Sequence, residues 1–507
     1  MNREWTRTIH ALRSHEPRLS QLAPRCLTMT RRVRTLAVSV GTAIFVAVVA
    51  FSLGQEVAPP PRAIESYEEK AARRDIEVRT HHPSVVPDRV ILTWKGDPAT
   101  TQAVTWRTNT SVKEAFAEVA VSEGGPKFKA TRLRAQTEPL QTSINEAHYH
   151  SANFTDLRPK TKHVYRVGDG KNWSEWFQFE TASVNPEPFG FIYFGDAQND
   201  IKSHWSRVAR GAYSDMPKAK FIVHAGDLID NRNDDAQWGE WHTAAGWING
   251  MVPSVPTPGN HEYGKTLDPH WRAQFALPEN GPPGLEETVY FLDYQGVRII
   301  SLNTEEKVAE QIPWLENVLA NNPCKWTVIT FHRPIYSPVK GRDNPHIRAA
   351  WRPVFDRAPK GVDLVLQGHD HTYGRSGLMR DDNTLGGGQV FTERGTVYCV
   401  SVSGPKHYGV GESPWMSRKG EGMQLYQLIR IDGDRLTYEA RTARGDLYDA
   451  FELRKRADGG NELIEKEVAN PEPEKRSHGG RNYWNAAAAT VILGLVALAV
   501  TWALQSR

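Results

Sequence analysis

The sequence predicts an α+β protein: an all-β sandwich, then a domain in which strands and helices alternate, with an apolar segment towards each end. Three observations support this. Between about Val90 and Thr181, short alternating strands follow one another, separated by polar turns. After Ser183 the pattern changes to apolar strands interspersed with helical stretches. Near each end lies an uncharged, mostly apolar run. At 507 residues the chain exceeds one ordinary core, so two domains with flanking segments are expected.

Bulk composition narrows the function classes. Hydrophobic residues at 39% and charged residues at 24% suit a globular body and exclude a polytopic membrane protein. The net charge of +3 is small, with lysines and arginines scattered among carboxylates, so no nucleic-acid partner is expected. The 3 cysteines, Cys26, Cys324 and Cys399, exclude a disulfide framework, and no CxxC pair offers a thiolate zinc site.

Residues 1–35 read as a cytoplasmic tail and 36–54 as a transmembrane anchor or signal segment. Leu36 to Leu53 follows Arg25, Arg31, Arg32 and Arg34. As a helix this run would reach about 27 Å at roughly 1.5 Å per residue, near a bilayer core's thickness. Its basic flank points the N-terminus inward. Ala50-Phe51-Ser52 also gives the small-x-small pattern of a cleaved signal. Ala486 to Leu504 predicts a second membrane helix within 485–504. The membrane is thus an expected partner, with the body between the runs held outside the cytoplasm, extracellular or periplasmic.

Residues 55–86 read as a linker, with Pro59-Pro60-Pro61 and then a charged stretch, Glu68 to Arg79, lacking apolar periodicity. Sandwich strands are predicted at Val90–Trp94, Ala103–Trp106, Glu118–Ser122, Tyr149–Thr155, His163–Val167 and Trp176–Thr181, inside a domain spanning 87–184. The catalytic-type domain is placed at 188–455. It holds strands at Phe191–Phe194, Phe221–Ala225, Thr327–Phe331 and Val362–Leu366, and a hairpin at Tyr290–Tyr294 and Val297–Leu302. Trp238, Trp241, Ala245 and Ile248 fall at steps of three and four, predicting a helix over Gln237–Met251 whose tryptophans pack on the sheet. The last strands, Gln424–Ile431 and Leu436–Ala440, flank an Asp432-Gly433-Asp434 turn. Residues 456–484 read as a charged stalk.

The chemistry lies at the strand ends. Apolar strands run into Gly195-Asp196, Gly226-Asp227, His332 and Gly368-His369-Asp370-His371, and Gly259-Asn260-His261-Glu262 falls between the second and third. Ligands gather at the carboxyl ends of strands in open sheets, so these five tips can converge. Two aspartates, three histidines and an amide oxygen form a mixed N/O set suited to Zn, Mn or Fe more than Ca. Six ligands are too many for one tetrahedral ion and about right for two ions sharing a carboxylate. Read singly, Asp196 and Asp227 are ordinary turn residues and Asn260 a cap. Together, buried and unpaired, they would be costly. His204, His224, His242 and His270 read as structural or surface residues.

This ordered set resembles the calcineurin-like metallophosphoesterase superfamily, and within it the purple acid phosphatase branch, over roughly Pro87 to Lys455. The segment Leu157-x-Pro159-x-Thr161-x-His163-x-Tyr165 resembles the corner of a fibronectin type III-like domain, with His163 where tyrosine is usual. The resemblance implies a four-layer α/β/β/α catalytic domain. It also implies two divalent or trivalent metal ions (Fe, Zn or Mn), with Asp196 and His371 on the first, Asn260, His332 and His369 on the second, and Asp227 bridging. His261 is implied as the acid that protonates the leaving oxygen, or as a donor to the transition state. The implied function is hydrolysis of phosphate esters, chiefly monoesters, with a metal-bridged hydroxide attacking phosphorus. A phosphodiesterase or nucleotidase on the same core is one alternative, and a non-catalytic surface module with a structural metal site is another.

Two departures stand out. Asp230 occupies the position of the tyrosine that colours the purple enzymes, and Gln198 that of a histidine found in most other members. The first metal thus lacks its usual extra ligand, with water, Gln198 or Asp230 as candidates, and a colourless protein is expected. Arg342 and Arg375 are candidates for substrate binding, Tyr373 lies beside the last ligand with its role open, and Lys406 reads equally as surface.

Overall fold

Strand alternation builds the first domain. In a computed structural model, which describes residues 67–380 and 395–468, eight strands form two four-stranded antiparallel sheets. One sheet has the order β1-β2-β6-β5, with β1 Asp88–Thr93, β2 Gln102–Thr108, β5 Gln136–Gln141 and β6 Glu146–Phe154. The other has the order β4-β3-β7-β8, with β3 Phe116–Val121, β4 Thr131–Arg134, β7 Lys162–Gly168 and β8 Phe177–Glu180. Leu92, Val104, Trp106, Val119, Phe154, Tyr165 and Phe179 fill the space between them. His163, in the tyrosine's place, stacks on Phe179 at 5.2 Å. Its Nδ1 donates to the Thr161 carbonyl at 2.9 Å, so the ring is retained as a packing element.

The second domain has two seven-stranded sheets. The first runs β11-β10-β9-β19-β20-β21-β22, with β9 Phe189–Phe194, β10 Ile222–Ala225, β11 Ser254–Thr257, β19 Leu425–Asp432, β20 Arg435–Thr442, β21 Leu447–Lys455 and β22 Asn461–Glu465. The second runs β12-β13-β14-β15-β17-β16-β18, with β12 Tyr290–Tyr294, β13 Val297–Ser301, β14 Trp326–Phe331, β15 Leu364–Gln367, β16 Tyr373–Ser376, β17 Val397–Val400 and β18 Met416–Gly420. Side-chain alternation separates the layers. Ile299, Val328, Leu364 and Leu366 join Phe191, Ile429 and Tyr438 of the facing sheet, whereas Ile300, Ile329, Phe331 and Val365 join Leu315, Trp351 and Phe355 on the other side.

The helices are α1 Tyr67–His81, α2 Ser206–Asp215, α3 Asp235–Ala245, α4 Pro269–Gln274, α5 Ile312–Ala320 and α6 Pro345–Arg357. Trp238 and Trp241 of α3 are fully buried in the core, as packing residues. The α-helix stops at Ala245, where Gly246 turns at φ 60°, and Gly246–Ile248 continues as a 3-10 turn.

The structure corrects two sequence readings. The charged stretch assigned to the linker is helical as α1, and the Arg107 guanidinium donates to the carbonyl of its last residue, His81, at 2.8 Å. The stalk reading fails at Asn461–Glu465, which pairs antiparallel with β21. Cys324 and Cys399 are both buried free thiols. The two apolar runs, Leu36–Leu53 and Ala486–Leu504, lie outside the described residues. Among the described residues no helix is long and apolar enough to cross a membrane.

Candidate metal centre

Parallel pairing of β9 with β10, β10 with β11, β13 with β14 and β14 with β15 aligns their carboxyl ends. Asp196 follows β9, Asp227 follows β10, Asn260 follows β11, His332 follows β14, and His369 and His371 follow β15. Two donor groups result. Asp227, His332 and His369 form one and Asp196, Asp227 and His371 the other, each with donor atoms within 4.8 Å of one another. Asp227 belongs to both.

Contacts tie the sixth residue in. His332 Nε2 lies 3.1 Å from Asp227 Oδ2, 3.2 Å from Asn260 Oδ1 and 3.2 Å from His369 Nδ1. His371 Nε2 lies 3.5 Å from Asp196 Oδ1. The remaining ring nitrogens of two histidines are engaged. His332 Nδ1 donates to the Ala225 carbonyl at 2.9 Å and His371 Nδ1 to the Lys406 carbonyl at 3.1 Å, so each ring turns its Nε2 towards the centre.

Backbone strain accompanies this convergence. Asp196, Asp227 and His369 adopt φ of 32°, 51° and 70°, a region L-residues occupy at a cost of order 1–3 kcal/mol each. Gly226 sits at φ 86°, and a Cβ there would stand 2.5 Å from His332 Nδ1, so no other residue fits. Glu262 braces two of the loops from beneath. Fully buried, its carboxylate accepts the backbone N–H of Asp227 (3.0 Å), Leu228 (2.8 Å) and Gly259 (2.7 Å).

The electrostatics divide the donors into charged and neutral groups. Burial raises the Asp196 carboxyl well above the carboxylate range, and the charge of Asp227 adds to this. Burial also works to raise Asp227, but contact with His332 outweighs it and holds Asp227 below that range. Burial opposes charge on His332, yet Asp227 and Asp196 push it up to about 10. Burial and the charge of His332, with Arg333 and Arg342, hold His369 down to about 2, and burial with Lys406 holds His371 down to about 3. Those two imidazoles are therefore already in the neutral form that binds metal. Asp196 Oδ1 is buried without a hydrogen-bond partner, an acceptor placed for an ion. The donor set and this orphaned oxygen fit a metal centre.

Other sequence candidates fall in different places. His261 stands beside the cluster, with Nε2 3.8 Å from Asp227 Oδ2, while its Nδ1 donates to the Asp230 carbonyl at 2.5 Å. The Asp230 carboxylate lies 3.8 Å from that same ring and is more than a third exposed. Gln198 is buried against both Asp227 and His371. Arg342 is adjacent: its Nε meets Asp370 at 2.6 Å and its terminal nitrogen donates to His369 Nε2 at 2.7 Å. Lys406 reaches over the Tyr408 ring.

Arg375 is a correction. Its side chain is 0% exposed and engaged by Asp449 (2.7 Å), Glu465 (2.7 Å) and the Ser376 carbonyl (3.2 Å), so it is a buried ion-pair residue of the core. Tyr373 donates to Asp449 in the same network. Conversely, Arg333 went unnoticed in the sequence although it directly follows His332. It donates to His369 Nε2 at 3.1 Å while Glu305 holds its other nitrogens at 2.9 and 3.0 Å. Its adjacency to a ligand-type histidine was the available signal. His224, His242 and His270 are buried away from this cluster: His224 packs on Trp241, His242 bonds Gln274, and His270 faces Asp268 and Asp235.

The molecule is similar to known proteins at each level. Residues 87–181 match the purple acid phosphatase N-terminal domain and residues 190–373 the calcineurin-like phosphoesterase domain. An acid phosphatase type 7 from Danio rerio is 30% identical over 277 residues, covering 47% of this chain and 60% of that relative, so the chain spans less than two thirds of its length. The acid phosphatase type 7 of Homo sapiens is 26% identical over 359 residues, covering 63% and 78%. A purple acid phosphatase from yellow lupin seeds shares the fold at a TM-score of 0.63 and 19% identity, covering 74% of this chain and 75% of that one. With both domain models matched in tandem, ahead of and across the converging strand ends, the chain belongs to the calcineurin-like metallophosphoesterase family, in its purple acid phosphatase-like branch.

Proposed function

We propose that this chain is a two-metal hydrolase of phosphate esters, acting chiefly on monoesters. The observation that carries the reading is the sharing of Asp227 between two donor groups. Asp196 and His371 would complete the first site, and Asn260, His332 and His369 the second. Bound ions would supply a water of lowered pKa and positive charge for the phosphoryl oxygens.

The chain's own residues would do the rest. His261 is fixed by the Asp230 carbonyl at Nδ1, which leaves Nε2 to hold the proton that a departing alkoxide needs. Arg333 and Arg342 stand at the edge of the second site, anchored by Glu305 and Asp370. Both now donate to His369 Nε2. With Nδ1 of that ring engaged, Nε2 would carry the proton and stop accepting. One N–H arm of each guanidinium would then be free for a phosphoryl oxygen. Two such arms favour the dianion of a monoester over a singly charged diester.

The test compares p-nitrophenyl phosphate with its bis ester, alongside metal analysis. Turnover that needs metal, favours the monoester and is lost in Asn260→Ala while circular dichroism is unchanged supports the reading. Full turnover after chelation, or metal binding without any turnover, refutes it.

A further inference from the structure

Gln198 is a buried polar side chain at the donor groups that the hydrogen-bond network leaves half used. It is 1% exposed and sits two residues after Asp196, on the loop that leaves β9. Its Nε2 donates to Asp227 Oδ2 at 3.1 Å and lies 3.0 Å from His371 Nε2. Those two acceptors, with Asp196, make up the first donor group. Its Oε1 is buried with no hydrogen-bond partner.

An amide –NH2 that donates to a carboxylate and to an imidazole lone pair does what a cation would do between the same two atoms. The two ends of a glutamine amide are nearly alike in shape, and half a turn about the last side-chain bond exchanges them. That turn removes the donor from between Asp227 and His371 and brings the orphaned oxygen towards them. Asp230, the other candidate, is held elsewhere. Its backbone carries the His261 contact, and its carboxylate is partly exposed beside that ring.

Resting on the two-metal reading above, we infer that Gln198 Oε1 is a ligand of the first metal, taking the place of an imidazole or phenolate. The first site then has three oxygen donors (Asp196, Asp227, Gln198) and one nitrogen (His371). The second has two oxygens (Asp227, Asn260) and two nitrogens (His332, His369). Carboxylate and carbonyl oxygens favour Mn2+ and Mg2+, whereas imidazole favours Zn2+. The amide adds no negative charge, so the first site selects a divalent ion over a trivalent one. The pair is therefore asymmetric, with an oxygen-preferring divalent ion in the first position.

The experiment titrates Mn2+ into metal-stripped full-length protein, counting bound ions and spin coupling by electron paramagnetic resonance, and repeats the titration with Zn2+ in competition. Wild type is expected to bind about two ions per chain as a coupled pair. Gln198→Ala should weaken one of the two at least tenfold and abolish the coupled signal. Gln198→Glu, which keeps an oxygen donor, should bind at least as tightly as wild type. Gln198→His should keep both ions but shift the first site's preference towards Zn2+. A glutamine acting only as a hydrogen-bond donor predicts the opposite order. The glutamate variant, lacking the donor and placed against Asp227, would then bind worst, and that result overturns the assignment. Two ions held with unchanged affinity in Gln198→Ala would also overturn it and leave the two-metal reading intact. A wild-type chain that binds neither Mn2+ nor Zn2+ would remove the two-metal reading itself.

Discussion

Asp235 joins the sandwich to the catalytic domain, and its replacement by asparagine gives the sharpest stability prediction. The Asp235 side chain is 0% exposed and accepts from Arg89 at 2.7 and 2.9 Å and from Arg107 at 3.1 Å, with His270 Nε2 3.4 Å away. Arg89 and Arg107 lie on β1 and β2, and Asp235 opens α3. Asparagine keeps the shape but removes the charge. Arg107 would retain Asp88 at 2.6 and 2.9 Å. Arg89 would keep the Tyr149 hydroxyl, a backbone carbonyl and at most one neutral amide oxygen, leaving one buried cation without a directly bonded counter-charge. Breaking a buried pair from one side costs about 3–5 kcal/mol. Asp88→Asn, at a carboxylate 41% exposed, should cost about 1 kcal/mol or less. Urea unfolding followed by tryptophan fluorescence would measure both. The pH arm has a definite sign. Burial acts to raise Asp235, but His270 and Arg89 outweigh it and hold the carboxyl below the usual range. Its stabilisation is therefore complete above about pH 4 and lost as pH falls towards the depressed folded value. A loss under about 1 kcal/mol in Asp235→Asn, or an unchanged acid limb, would refute the argument.

The other predictions concern the site. His261→Ala should lower kcat about 10²–10⁴-fold on alkyl phosphates and much less on p-nitrophenyl phosphate, whose leaving group needs no proton; equal losses on both would count against the acid role. Glu262→Ala removes all three accepted backbone N–H bonds and should weaken metal retention roughly 10–100-fold in equilibrium dialysis, because the Asp227 and Asn260 loops lose their common brace. Loaded with iron, the protein should show no visible charge-transfer band, since Asp230 occupies the phenolate position; a purple product would contradict the first-site reading.

What was legible in the sequence was whatever repeats a local rule. Each apolar strand feeding a glycine and then an aspartate or histidine marks itself, and parallel pairing brings those ends together. Strands without an apolar face left no mark. β4 and β5 are mostly exposed, β5 carries Pro139, and β22 is largely polar, so hydrogen bonding to partners is what makes them strands. α1 escaped notice for the same reason, because its charges show no helical stripe. Arg375 misled through distance: its partners Asp449 and Glu465 lie 74 and 90 residues away, and its closeness in sequence to His371 carried no information about where a long side chain turns.

The interdomain ion cluster and the candidate metal centre are parts of one construction. Asp227 is followed by Asp230, whose N–H, like that of Asn231, is accepted by the Gln237 side chain at 2.9 Å. Gln237 belongs to α3, which begins at Asp235, the residue clasped by Arg89 and Arg107 of the sandwich. The Asp230 carbonyl in turn fixes His261, and the backbone N–H of His261 donates to Asp227 Oδ1 at 2.9 Å. The sandwich therefore does more than sit beside the catalytic domain. It anchors the start of the helix that positions both the Asp227 loop and the proposed acid. Glu262 already holds the start of that loop at Asp227 and Leu228, and Gln237 adds a hold further along, at Asp230 and Asn231. Held at both ends, Asp227 can sustain a left-handed φ of 51° and face two donor groups at once, which is the geometry a shared carboxylate requires.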